Sequence, residues 1–392
     1  MRVYAALSAL LLVVVLAGCG NDDAQPEADP TDTSSHSPSE PTADDSESAS
    51  SSETPTSPSS GQGESDLPDP GTPESPTAVD PVAHLLTWED LGDSTETVTM
   101  GQKYVAMKSD DGRRAQVGVA HSGDIRDLKA PKGYRFADVL LDGQWAVVVA
   151  QHDQESKPAI AQVFDLSTGD SRTLDAKSNP ATVSGGAWAI GQGRVFHATT
   201  GRGGAYCLAE VDLASGEGQT TYCAEKNTGF NNVRITPDGL SLMSFDSGKI
   251  SCRTVVTVGE AALEPMAGAP DCRAWEGFSL PDGNAVFTVV EKEQRIERSQ
   301  VVARVGDGYY NLGHTTSGSL IWCDGAAWFP QDAERDGEPS RLMRWDGTRL
   351  TTAFEAGQGG PSALSAPRCG GDAISLSLLA ETGDQQVSAP TH

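Results

Sequence analysis

The stretch FADVLLDGQWAVVV, residues 136–149, contains the unit from which the folded part of this 392-residue chain is predicted to be built. An apolar run leads into Asp142-Gly143, and a second apolar run, Trp145–Val149, follows at once. Asp-Gly accepts the backbone angles of a tight hairpin turn, and residues such as Val favour strands. The stretch therefore predicts two antiparallel strands joined by a short turn.

The same strand–turn–strand pattern recurs across residues 81–392, which contain no convincing amphipathic helix. The turns that share it are Gly101-Gln102, Asp142-Gly143, Gly191-Gln192-Gly193, Asp238-Gly239, Asp282-Gly283, Asp324-Gly325 and Gly370-Gly371. Their mean step is about 45 residues, and a period of this length with four short strands is typical of a β-propeller blade. The sequence thus predicts an all-β propeller of about seven blades, with six or eight as alternatives.

The last repeat is one strand short. After Gly371 we expect strands only at Ala373–Leu379 and Gln385–Ala389, in addition to the one before the turn. The missing strand is predicted to come from the segment around His84–Trp88, which precedes the first repeat. Joining both chain ends in one sheet removes the open edges that would invite aggregation.

These repeats resemble those of quinoprotein, TolB-like and WD-repeat propellers. The Asp165–Gly169 piece, DLSTG, resembles the Asp-x-x-Thr-Gly turn of quinoprotein repeats, and a similar turn recurs one blade later at Asp212–Gly216. The tryptophan that follows this turn in quinoproteins is absent here. The resemblance therefore implies the propeller fold and no quinone, and no cofactor is predicted.

The N-terminus carries an apolar run, Ala5–Leu16, that ends in Leu16-Ala17-Gly18-Cys19. These four residues resemble the lipobox of bacterial lipoproteins. The resemblance implies cleavage between Gly18 and Cys19, removal of residues 1–18 as a signal peptide, and a diacylglycerol on Cys19. The protein is then expected on the extracytoplasmic face of the cell membrane, held by its lipid. An uncleaved transmembrane anchor and an ordinary signal peptide are the alternatives.

Residues 19–80 are rich in Ser, Thr, Pro, Asp and Glu, with fifteen acidic residues and no Lys or Arg. Such a composition cannot bury enough apolar surface to offset the entropy of ordering, so a disordered tether is predicted. It accounts for much of the net charge of −27, which leaves residues 81–392 acidic too. Nothing in this charge distribution suggests a nucleic acid partner.

Six cysteines follow Cys19, an even number that predicts three disulfides in an exported domain. Cys207 and Cys223 flank the Asp212–Gly216 turn symmetrically, which places them opposite each other on adjacent strands. The other two predicted pairs are Cys252–Cys272, around the outer hairpin of the next blade, and Cys323–Cys369, before equivalent turns one blade apart. A metal site or redox pair is the alternative, and no C-x-x-C spacing supports it.

Catalytic motifs are absent from the sequence: there is no G-x-S-x-G elbow, no H-E-x-x-H and no Walker loop. The histidines of the domain are scattered, and we expect them in solvated loops, with a cluster at the channel mouth as the alternative. They are His84, His121, His152, His197, His314 and His392.

The tryptophans on or beside the predicted inner strands are expected to pack between blades, with a sugar-stacking platform as the alternative. They include Trp145, Trp188, Trp275, Trp322 and Trp328. The carboxylates of Asp110-Asp111-Gly112 suit a Ca²⁺ ion, but Asp is common in such turns without any metal.

Together these features predict a monomeric binding or scaffolding module. Its loop face would meet a protein, cell-wall glycan or small ligand, and the lipid on Cys19 would contact the membrane. The alternative is a propeller enzyme, a hydrolase, lyase or quinone-dependent dehydrogenase, with its site at the central channel. Such enzymes gather His, Asp, Glu or Arg side chains from the ends of inner strands.

The predicted lipid anchor on Cys19 can be tested directly. Cys19→Ala should move the full-length protein from the membrane to the soluble fraction, because no thiol remains to take the lipid. Fractionation and immunoblotting measure this, and Gly20→Ala, which leaves the four-residue motif intact, is the control that should stay with the membrane. Retention of the Cys19→Ala protein in the membrane would contradict the anchor.

Overall fold

The computed structural model describes residues 72, 75–93, 96–259, 262–292, 295–333, 335, 337–356, 362–380 and 383–392. The predicted signal peptide, the lipobox with Cys19, and residues 19–71 of the predicted tether lie outside the described residues. In the described part of the chain, no helix has the length and apolar character needed to cross a membrane.

Seven sheets form the blades of a ring, as the sequence predicted, and they are antiparallel except where N-terminal strands join blades 5 and 6. Within each blade the strands of the repeat follow in chain order from the channel outward. Blade 1 contains β4 (Thr97–Met100), β5 (Tyr104–Lys108), β6 (Arg114–Val119) and β7 (Ile125–Lys129). Blade 2 contains β8 (Tyr134–Asp142), β9 (Trp145–His152), β10 (Ile160–Asp165) and β11 (Ser171–Leu174). Blade 3 contains β12 (Trp188–Gly191), β13 (Arg194–Thr200), β14 (Tyr206–Asp212) and β15 (Gly218–Cys223). Blade 4 contains β16 (Thr228–Thr236), β17 (Gly239–Asp246), β18 (Lys249–Val258) and β19 (Leu263–Pro265).

In each of the remaining three blades, the N-terminal segment supplies the outermost strand, which is a fifth strand in blades 5 and 6. Blade 5 contains β20 (Ala274–Ser279), β21 (Ala285–Val289), β22 (Ser299–Val305), β23 (Gly308–Thr315) and β1 (Thr77–Ala78). Blade 6 contains β24 (Ile321–Cys323), β25 (Ala326–Gln331), β26 (Arg341–Trp345), β27 (Leu350–Glu355) and β2 (Val82–Ala83). Blade 7 contains β28 (Ser362–Leu364) and β29 (Arg368–Cys369), then β30 (Ala373–Ala380), β31 (Gln385–Pro390) and β3 (Glu89–Asp93). Three short 3₁₀ helices lie in connections, at Arg202–Gly204, Pro281–Gly283 and Ile296–Arg298.

The core lies between neighbouring blades, because successive side chains of a strand point to opposite faces of its sheet. On β9, Val147 and Val149 pack with β-branched residues of blade 3, whereas Ala146 and Val148 pack with blade 1. Val147 and Val148 are completely buried. Burying one such side chain contributes roughly 1.5–3 kcal/mol, so separating a blade from its neighbour would strongly destabilise the fold.

All seven predicted turns join an innermost strand to the second strand of its blade, so they share one end of the ring. We call this the turn end and the opposite end the loop end. At Asp324-Gly325 both residues have positive φ angles, 45° and 76°, which is the conformation that Asp-Gly allows at a tight hairpin.

A rim strap, residues Thr77–Asp93, runs along the outside of three blades before the chain enters blade 1. It pairs in parallel with β23 and then β27, and its last strand, β3, pairs antiparallel with β31. The ring is therefore closed by the N-terminal segment, and the strap begins four residues before position 81, where the sequence placed the start of the domain.

The closing strand is Glu89–Asp93, not the segment around His84–Trp88 that the sequence predicted. The earlier segment belongs to blade 6, because the His84 N–H donates to the Thr352 carbonyl at 3.0 Å. The indole N–H of Trp88 also donates to blade 6, at 2.9 Å from the Ala353 carbonyl. Those bonds hold the segment on β27, so only the residues after it reach β31.

The three disulfides of the structure join the cysteine pairs predicted from the sequence. Cys207 and Cys223 are direct cross-strand partners on β14 and β15. The second bond ties Cys252 on β18 to Cys272 in the connection to blade 5. The third joins the innermost strands of blades 6 and 7 through Cys323 and Cys369.

The disulfides should differ in their effect on stability. The Cys323→Ala/Cys369→Ala protein is expected to lose about 4 kcal/mol of unfolding free energy, and Cys207→Ala/Cys223→Ala about 3 kcal/mol, because the closed loops span 46 and 16 residues. Urea unfolding of both variants and the wild type measures this. Cys207 and Cys323 are buried, but Cys223 is exposed and Cys369 is half-buried, so the variant with the longer loop also loses more packing. A larger loss for the shorter loop would show that strain or packing outweighs chain entropy.

Candidate functional site

The innermost strands surround a cavity of about 430 Å³, which we call the channel cavity. Blades 1, 2, 3, 4, 6 and 7 all contribute residues to its wall, so it lies on the axis of the ring. Apolar side chains such as Leu140, Ile190 and Ile321 form part of the wall. Two arginines, Arg234 and Arg368, are its cationic residues.

Arg368 ties three blades together at the channel. From blade 7, its Nε donates to Thr99 Oγ1 of blade 1 at 2.7 Å, and a terminal nitrogen donates to Asp138 Oδ1 of blade 2 at 2.5 Å. The same terminal nitrogen also donates to the Val139 carbonyl. The charge of this arginine is therefore neutralised inside the ring.

Arg234 repeats this arrangement on the other side of the ring. From blade 4, its Nε donates to the Leu320 carbonyl at 3.0 Å, and a terminal nitrogen lies 3.4 Å from Glu276 Oε2 of blade 5. That terminal nitrogen also donates to the Gly318 carbonyl at 3.3 Å. Each arginine thus connects its own blade to the two that follow it.

Glu276 has no exposed side-chain surface. Its carboxylate accepts the Gly318 N–H at 2.7 Å and the Leu320 N–H at 3.3 Å, as well as the bond from Arg234. Burial nevertheless raises the pKa of Glu276 to about 7, against the opposing effects of Arg234 and the two backbone donors. The group therefore titrates near neutral pH while it remains inside the wall of the channel.

A second cavity, the mouth, opens toward the loop end and has a volume of about 270 Å³. It shares Asp138, Trp188, Val233 and Arg234 with the channel cavity, so the two are continuous. The carboxamides of Gln151, Asn231 and Asn232 line it. Among them, the Asn232 amide donates to the Trp275 carbonyl at 3.3 Å.

Two tryptophans do more than pack between blades. Trp188 of blade 3 lines both cavities and stacks on His197, with 4.9 Å between ring centroids. Trp322 of blade 6 lines the channel cavity and meets Phe278 edge to face. Trp275 and Trp328 are buried, which agrees with the predicted packing role, and Trp145 is half-buried.

The histidines do not converge at the channel mouth. Their side-chain neighbours are Glu89 for His121, Ser156 for His152, Trp188 for His197 and Asp324 for His392. His197 is completely buried, and burial lowers its pKa, so its ring is neutral and belongs to the core rather than to a solvated loop. Within the described ranges, no group of three or more His, Cys, Asp or Glu residues has the geometry to hold a metal ion.

The Asp110-Asp111-Gly112 turn uses a carboxylate for its own structure. Asp111 Oδ1 accepts the Ser109 hydroxyl at 2.6 Å and the Arg113 N–H at 2.8 Å. The bond from Ser109 is the main reason that the pKa of Asp111 lies below its usual value. This arrangement is the one expected of Asp in a turn without a metal.

The charged residues of the channel were not predicted from the sequence. A usable signal was present: Asp138, Arg234 and Arg368 are charged residues that lie on an innermost strand a few residues before its turn. A charge at such a position faces the channel, because neighbouring blades cover both faces of the sheet. Nothing local reveals which charges pair, since Arg368 and Asp138 are 230 residues apart.

No family model and no curated protein matches the chain. Several solved structures match its fold at low sequence identity. The β-propeller domain of the Trilobed protease from Pyrococcus furiosus superposes with a TM-score of 0.51 at 11% identity, covering 79% of this chain and 97% of that one. A prolyl endopeptidase gives a TM-score of 0.51 at 15% identity, covering 74% of this chain and 46% of that one. The chain thus spans about half the length of the endopeptidase, and these likenesses show the β-propeller fold.

The Glu276 carboxyl should make stability depend on pH. Because its pKa is raised on folding, the folded state holds the proton more tightly than the unfolded state, so its contribution is greatest below about pH 4.5 and is lost as pH rises through about 7. Glu276→Gln cannot titrate. The unfolding free energy of the wild type should therefore fall relative to this variant by roughly 3 kcal/mol between pH 4.5 and 8.

Urea unfolding of both proteins across this pH range measures the difference. Glu217→Gln, which alters an exposed glutamate in the hairpin between β14 and β15, is the matched control and should follow the wild type. A constant difference between wild type and Glu276→Gln would show that Glu276 keeps its ordinary pKa.

Proposed function

We propose that this protein is a membrane-tethered binding module. The lipid predicted on Cys19 holds it outside the cytoplasmic membrane, the acidic segment serves as a spacer, and the loop end of the propeller meets the ligand or partner. The observation that carries this proposal is the direction in which the rim strap joins the ring.

The strap begins beside blade 5 and runs parallel to β23, with Thr77 opposite Tyr310 and Ala78 opposite Asn311. Strand β23 starts at the turn end, where the hairpin from β22 delivers it, and runs toward the loop end. The chain therefore enters the strap from the turn end and at the rim. This entry point lies at the end of the ring opposite the mouth, so the described part of the N-terminal segment does not run across the mouth.

The channel chemistry favours binding over catalysis. Both arginines of the channel are paired with a carboxylate of another blade, so these groups hold the ring together. Glu276, whose pKa of about 7 would suit a general acid or base, has no exposed surface with which to reach a substrate. The protease and the endopeptidase that share the fold leave an enzyme as the competing proposal.

Site-specific photocrosslinking in intact cells tests which end binds. A photoreactive residue at Gln154, exposed in a loop-end connection of blade 2, should give adducts with the bound partner. The same residue at Ser122, exposed at the turn end of blade 1, is the matched control and should give none. Adducts from Ser122 alone, or from neither position, would contradict a module that binds through its loop end.

A further inference from the structure

We propose that the mouth and the channel cavity together bind an uncharged carbohydrate. This rests on the proposed binding function and specifies its ligand class. The two cavities, about 270 and 430 Å³, are joined through Trp188, Arg234, Asp138 and Val233. Their combined size is in the range of sites for small ligands, which is roughly 300–1,000 Å³.

The charges of the site select against a charged ligand. Arg368 is bound to Asp138, and Arg234 to Glu276, before any ligand arrives. The other two carboxylates of the wall are also bonded: Asp142 accepts the N–H groups of Gln192 and Gly193, and Asp324 accepts the Thr391 hydroxyl at 2.7 Å and lies 2.8 Å from His392 Nδ1. A charged ligand would have to compete with these partners, whereas a ligand without net charge leaves them in place.

The polar groups that are free in the site suit hydroxyl groups. Gln151 has no side-chain hydrogen bond among the described residues, so its amide offers both a donor and an acceptor. In Asn231, Oδ1 accepts the Asn232 N–H at 2.9 Å, and the amide nitrogen is left as a donor. A sugar hydroxyl donates and accepts at once, so it can satisfy each of these groups.

The aromatic side chains in the wall of the site suit the ring of a sugar. Trp188 and Trp322 come from blades 3 and 6, which stand on opposite sides of the channel, and both are half-buried. An indole surface is apolar and flat, and it accommodates the C–H face of a pyranose ring while the hydroxyls at the ring edge reach polar groups. A purely aliphatic ligand would fill the same space but leave the amides of Gln151 and Asn231 unbonded.

Titration of the full-length protein in detergent tests the proposal. The probes are maltose, cellobiose and N,N′-diacetylchitobiose, with glucosamine and glucuronic acid as charged sugars and Gly-Gly-Gly as a peptide. Saturation-transfer NMR reports binding, and tryptophan fluorescence reports contact with the channel. At least one uncharged disaccharide should bind with a Kd below about 10 mM, and the charged sugars should not displace it.

Variants link the binding to the site. Gln151→Ala should weaken binding about five- to tenfold through the loss of one hydrogen bond, and Trp188→Phe should also weaken it. Gln154→Ala, three residues along the same blade and outside both cavities, should bind as the wild type does. Thermal unfolding of each variant checks that the ring is intact.

Three outcomes would overturn the proposal: no uncharged disaccharide binds, Gln151→Ala and Gln154→Ala bind equally well, or only the tripeptide or a charged sugar binds. Adducts from Gln154 in cells, together with any of these outcomes, would leave the binding module in place and remove only its carbohydrate ligand. If Gln154 gives no adducts in cells and one of these three outcomes is also found, the proposed binding function is overturned as well.

Discussion

The pairing of Glu89–Asp93 with Gln385–Pro390 is the constraint on which the ring depends. Each blade buries apolar side chains on both faces, so an open ring would expose the faces of its two terminal blades. The closing strand joins the chain ends within one sheet and prevents this opening. The strap that precedes it binds blades 5 and 6 as well, and this spreads the attachment of the N-terminal segment over three blades.

Inside the ring, two arginine–carboxylate pairs and one disulfide act between blades. Arg368 and Arg234 each connect three blades at the channel, and Cys323–Cys369 joins blades 6 and 7 close by. The arginines serve as cross-links because their forked donors can bond to a carboxylate and to backbone carbonyls at once. With its arginines used in this way, the channel offers a ligand indole rings, amides and aliphatic side chains, beside the hydrogen-bonded carboxylates of Asp142 and Asp324.

The strap and the channel together explain how the molecule can work as a tethered module. A chain that enters at the rim from the turn end does not block the channel, and it leaves the mouth on the opposite side. A closed ring would then keep Gln151 and Asn231 in place for the ligand that we propose. The anchor is itself a proposal that rests on the resemblance of Leu16-Ala17-Gly18-Cys19 to a lipobox.

The sequence alone determined the features that depend on local chemistry or on the repeat. A tight turn of the Asp-Gly or Gly-x type needs only two or three residues, so the recurrence of such turns at about 45-residue steps predicted the blades. The Cys207–Cys223 pairing followed from the symmetry of one hairpin. The tertiary structure decided what depends on distant segments meeting: the pairing of Arg368 with Asp138, the raised pKa of Glu276, and the closing strand at Glu89–Asp93 rather than around His84–Trp88. Arg368 and Asp138, 230 residues apart, become neighbours only when the ring closes, and so do the closing strand and β31. The partners of Glu276 are 42 to 44 residues away, beyond the reach of one hairpin, and they meet it only when neighbouring blades face one channel.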